Sequence, residues 1–145
     1  MSKPTIRNVL VIIGMWTISR VIASLLEGFI IVIHNTTTFT GDAGTVMMWL
    51  WERLPEDLVA VFAAIALVWV IETKKPLAWV GGLAALYLYG GSLQAWRILR
   101  HGWHVPPRTS DYVGILMQAS IPAVACLVVG IWWTKRSAAL KPVAA

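Results

Sequence analysis

Three ionisable side chains stand seven residues apart in "ISRVIASLLEGFIIVIHN", residues 18–35: Arg20, Glu27 and His34. Nearly everything between them is apolar. Thr17, Arg20, Ser24, Glu27, Ile31 and His34 step by three and four, which puts them on one face of a helix. A charged group at the centre of a bilayer costs at least about 2.5 kcal/mol on insertion scales, so such a face must line a protein interior or a cavity. A carboxyl group beside a cation offers two kinds of chemistry there. It can move a proton, or it can hold a polar group by charge and hydrogen bonds.

Other polar side chains fall at matching depth. Tyr87, Gly90, Gln94 and Arg97 form a second seam at helical spacing, and Gln118 and Glu56 come from two further segments. Depth along the helices predicts that Glu27, Gln94 and Gln118 converge on one interior site, with Glu56 at its rim. Arg20 lies about 10.5 Å from Glu27 along the helix axis, within reach of its long side chain. Glu27 and Glu56 are the acids of this site, and the predicted ligand-binding residues are Arg20, Ser24, Tyr87, Gln94 and Gln118. His34, His101 and His104 match no zinc spacing, so neither a metal nor another cofactor is expected.

The elements that must position these groups are membrane helices. The chain has 145 residues, of which 58% are hydrophobic and 13% charged, with a mean hydropathy of +0.71. The charged share is about half that of a soluble domain. The pattern predicts an all-α, integral membrane four-helix bundle in a single domain, residues 1–145, with helices at about 9–33, 55–72, 76–98 and 111–133. "TVMMWLWER" is short and aromatic and reads as an interfacial or re-entrant helix between the first two. "LPEDL" reads as a helix start, with Pro55 in the first turn and Glu56 and Asp57 at the positive end of the dipole. Gly81, Gly82, Gly90 and Gly91 would let the third helix pack closely.

The net charge of +5 does not read as a nucleic-acid surface, because the basic residues cluster at helix ends. Lys3, Arg7, Lys74, Lys75, Lys135, Arg136 and Lys141 fall on one side, and Arg53, Arg97, Arg100 and Arg108 on the other. Seven against four predicts a multi-pass protein with both termini in the cytoplasm. The single cysteine, Cys126, excludes an internal disulfide and reads as a buried thiol. The expected partners are a lipophilic small molecule and the bilayer, with no nucleic acid; a homodimer is left open.

"LLEGFIIVIHN" in helix 1, "YGGSL" in helix 3 and "LMQASIP" in helix 4, in this order along nearly the whole chain, resemble the emopamil-binding protein family, the EXPERA domain. That family includes sterol Δ8–Δ7 isomerases and the sigma-2 receptor. Its members bind cationic amphiphiles and sterol-like molecules in a cavity open to the membrane. The resemblance implies that Glu27 is the family's helix 1 acid and that Gln118 stands for its helix 4 amide, usually Asn. Glu56 is the nearest candidate for the helix 2 acid, with Asp57 and Glu52 behind it. The isomerases have a His where this chain has Ala23 and a Trp where it has Ile121. These departures bear on sterol isomerisation more than on lipophile binding. The function implied is the binding of a sterol- or terpenoid-like lipophile, with double-bond isomerisation as a further step, carried out by acid/base chemistry of the implied catalytic pair Glu27 and Glu56. The alternative is a non-catalytic accessory or scaffold subunit in which Arg20 and Glu27 form a structural ion pair.

Overall fold

The computed structural model describes residues 3–34, 41–71, 75–101 and 108–139. Four helices account for them: α1 Lys3–His34, α2 Gly41–Val70, α3 Pro76–His101 and α4 Thr109–Ala139. The described residues contain no strand. Glu72, Lys74, His104 and Lys141 lie outside the described residues, as do the side chains of His34, His101, Asp42 and Trp49.

The separate interfacial helix expected between the first two spans does not form. "TVMMWLWER" is part of α2, which enters through Gly41 at a positive φ of 74° and continues through Pro55. Pro55 has no N–H to give the carbonyl one turn back, and such a gap breaks a helix unless packing holds the two halves in line. Here Pro55 is itself buried, and Arg53 and Glu56 bridge the turn around it. Pro122 is likewise carried inside α4. At the start of α4, the Arg108 backbone N–H donates to the Asp111 carboxylate at 2.8 Å, which satisfies one of the helix's free donors.

α4 packs most extensively, against both α3 and α2, while α1 rests mainly on α2. The core is small and aliphatic. Ala60, Ala64 and Leu67 of α2 and Ile71 just after it meet Val80, Leu83, Ala84 and Tyr87 of α3 and Ala123 and Cys126 of α4. The three-and-four spacing of each set is that of one helix face. Two glycines set the α3–α4 separation. A Cβ on Gly91 would stand 2.6 Å from the Ala119 carbonyl oxygen, and one on Gly130 would stand 3.1 Å from Leu77 and Val80 side-chain carbons. Residue 91 meets 119 and residues 77 and 80 meet 130, so the two helices run antiparallel.

The outside is apolar. Leu10, Leu25, Phe62, Trp69 and Leu116 are each more than 60% exposed, and apolar surface on this scale marks contact with a membrane or a partner. Two helices, over Thr5–Glu27 and Thr109–Ser137, are long and apolar enough to cross a membrane.

Candidate functional site

The charged groups of α1 and α2 form one chain of ion pairs. On α1, Arg20 and Glu27 share a face. On α2, Arg53 and Glu56 are three residues apart and also share a face. Arg53 Nη1 donates to Glu27 Oε1 and to Glu56 Oε2, both at 2.8 Å. Arg20 Nη1 donates to Glu56 Oε1. Arg20 thus meets Glu56 and Glu27 meets Arg53, the order that antiparallel helices impose.

This corrects the Arg20–Glu27 pair of the alternative reading. Two turns of helix hold those residues apart, while α2 brings each of them an opposite charge at closer range. Glu56 is not at the rim either: it is 4% exposed and Arg53 is 6% exposed, which makes them the buried centre of the network. Arg53 was counted in the sequence only as a charge flanking a span. Asp57, the next residue, lies outside the network, and its Oδ1 is buried without a hydrogen-bond partner among the described residues.

The network forms the back of a cleft between α1, α2 and α3. The cleft has a volume of about 470 Å³ and is lined by Trp16, Arg20, Ser24, Glu27, Arg53, Gly90, Leu93, Gln94 and Arg97. Gly90 keeps it open beside Trp16, because a Cβ there would come to 3.3 Å from the indole Cζ2. Behind the network lies a void of about 10 Å³, walled by Arg53, Glu56, Gln94 and Gln118 among others. That is about the space of a single water. Arg53 and Gln94 belong to both walls. A separate concavity of about 310 Å³ between Met15, Ile18, Ile22, Val59 and Phe62 carries no charged group.

The structure therefore brings Arg20, Ser24, Glu27 and Gln94 to the cleft and places Glu56 and Gln118 around the void behind it. Tyr87 is not brought there. It is 2% exposed, and its hydroxyl donates to Ser19 Oγ; Ser19 in turn donates to the Trp16 carbonyl at 2.8 Å. Tyr87 is spent on tying α3 to α1. Arg53 and Leu93 are the lining residues that sequence reasoning missed. The signal for Arg53 was its three-residue spacing from Glu56, legible only if the helix is carried through Pro55.

The site can bind a polar group and shield it from the apolar exterior. Its walls offer guanidinium and amide donors and one carboxylate. No family model, curated protein or solved structure matches the chain. The likeness to the EXPERA proteins is carried by the quoted motifs alone.

Proposed function

We propose that the chain is a multi-pass membrane protein of four spanning helices, both termini cytoplasmic, that holds a lipophilic, sterol- or terpenoid-like amphiphile with its polar end in the cleft. The observation that carries this reading is a charged cleft of about 470 Å³ set into an exterior of exposed leucine, valine and aromatic side chains.

Tryptophan–arginine pairs support the membrane placement. Arg100 lies over the Trp96 ring at 5.9 Å and Arg136 over the Trp132 ring at 5.3 Å. Because α3 and α4 are antiparallel, these pairs mark opposite ends of the bundle. Trp132 sits near the level of Leu77, so the two belts are separated by roughly nineteen residues of α3, or about 28 Å. A bilayer hydrocarbon core is about 30 Å thick, and Trp and Arg favour its two surfaces.

Binding without turnover is the reading supported here. Double-bond isomerisation needs one carboxyl to give a proton and a base to take one. Glu56 accepts hydrogen bonds from arginines on both oxygens, so in this arrangement both are occupied by the ion-pair network and neither faces a ligand. A purely structural role would be served by the ion-pair chain alone and would not require an open cleft beside it. Lipid extraction of the purified protein followed by mass spectrometry tests the proposal. Wild type should release a stoichiometric lipophile, and Ser24→Trp, which fills the cleft, should release far less. Equal yields from the two proteins, or no lipophile from wild type, would overturn it.

A further inference from the structure

We infer that the polar end of the ligand is an oxyanion, a carboxylate or a phosphate, held between Arg97, Gln94 and Arg20; this rests on the amphiphile-binding reading above. The charges around the cleft do not balance. Arg20, Arg53, Glu27 and Glu56 carry two positive and two negative charges and are joined to one another. Arg97 lines the same cleft and is exposed. It has no ion-pair partner among the described residues. One positive charge is therefore left over.

The hydrogen-bond inventory leans the same way. Arg53 Nη1 is already shared between two carboxylates. Arg20 commits Nη1 to Glu56 and keeps further N–H donors, as a guanidinium has five. The Trp16 Nε1–H is buried without an acceptor among the described residues. Donors on the wall thus outnumber free acceptors. Gln94 and Arg97 are three residues apart on α3 and share a face, with Gly90 one turn earlier leaving the floor clear. A planar guanidinium beside an amide suits a carboxylate or phosphate. Arg97 also directly follows Trp96, the belt residue, so the excess charge sits at the depth of lipid headgroups. A cationic amphiphile, the ligand class that the family resemblance implies, would meet like charge there.

The test uses the full-length protein in nanodiscs of equimolar phosphatidylcholine, phosphatidylglycerol and a cationic lipid with matched acyl chains. After gentle delipidation in neutral detergent, the retained lipids are quantified by mass spectrometry. Phosphatidylglycerol should be enriched over the cationic lipid by about tenfold, the scale of one hydrogen bond to a charged group. Arg97→Gln should abolish that preference, while Arg100→Gln, whose guanidinium lies over Trp96 and not in the cleft lining, should leave it unchanged. Competition then separates the sources. Displacement by millimolar inorganic phosphate assigns a free oxyanion, and displacement by oleate alone assigns a lipid-borne one. Lipid retained without charge preference, a preference that survives Arg97→Gln, or displacement by neither competitor would overturn the inference and leave amphiphile binding standing. No retained lipid of any kind would overturn both.

Discussion

Removing the Arg53 guanidinium should be the most destabilising single change in the charged network. Arg53→Met keeps much of the side-chain volume and takes away both 2.8 Å hydrogen bonds. The Arg53 and Glu56 side chains are only 8% and 5% exposed. Breaking such a buried pair costs about 3–5 kcal/mol, because the surviving charge keeps its desolvation penalty and loses its partner. Glu56 retains Arg20, which places the expected loss near the lower end of that range. Glu27→Gln acts at the other end of the chain, where the carboxylate side chain is 26% exposed. Solvent screens that contact, and its loss should cost no more than about 1 kcal/mol.

The measurement is reversible unfolding in detergent, followed by tryptophan fluorescence, on wild type, both single variants and the double change Arg53→Met with Glu56→Leu. Replacing both members of a buried pair is often close to neutral. The double variant should therefore be more stable than Arg53→Met alone, with a coupling above about 0.5 kcal/mol. Arg53→Met within about 0.5 kcal/mol of wild type would refute the reasoning. So would Glu27→Gln proving the more damaging of the two, since that would put the centre of the network on α1.

Two further outcomes follow from the packing and the charge distribution. Gly91→Ala should destabilise by about 1–3 kcal/mol, the scale of overpacking, because its Cβ would stand 2.6 Å from the Ala119 carbonyl oxygen; Gly14→Ala, with nothing within 4 Å, should instead stabilise by roughly 0.5–1 kcal/mol, and the two melting curves compared side by side check the sign. Reporter fusions at the C-terminus and after His104 should report opposite faces of the membrane, and the same face for both would remove the proposed topology.

The helical architecture was legible because long apolar runs and small-residue stripes dictate it directly. The error at α2 has a specific cause. Pro55 followed by Glu56 and Asp57 carries the chemistry of a helix start, and local propensity offered no reason to continue backwards through it. What carries the helix to Gly41 is tertiary: Pro55 is buried, and the Arg53–Glu56 bridge spans its turn. Neither can be seen in a window of sequence. The seam on α3 was legible as a face but not in its extent. Gly90, Gln94 and Arg97 reach the cleft, whereas Tyr87 on the same seam meets Ser19 of α1, where the helices have already closed together.

The stripe on α1 raised a problem of charge that one helix could not solve. Arg20 and Glu27 are of opposite sign and on one face, which invites pairing them, but the helix rise keeps their backbones two turns apart. A second helix with its own Arg and Glu in reversed order resolves this, because each α1 charge then meets an opposite one. That solution is neutral and complete with four residues. Arg97 lines the same cleft as Arg20, Glu27 and Arg53 and takes no part in that solution. Under the proposed oxyanion reading, Arg97, which the ion-pair chain does not need, is the group a bound ligand would neutralise, and Trp16, another residue of the cleft wall, keeps a buried indole N–H with no acceptor among the described residues.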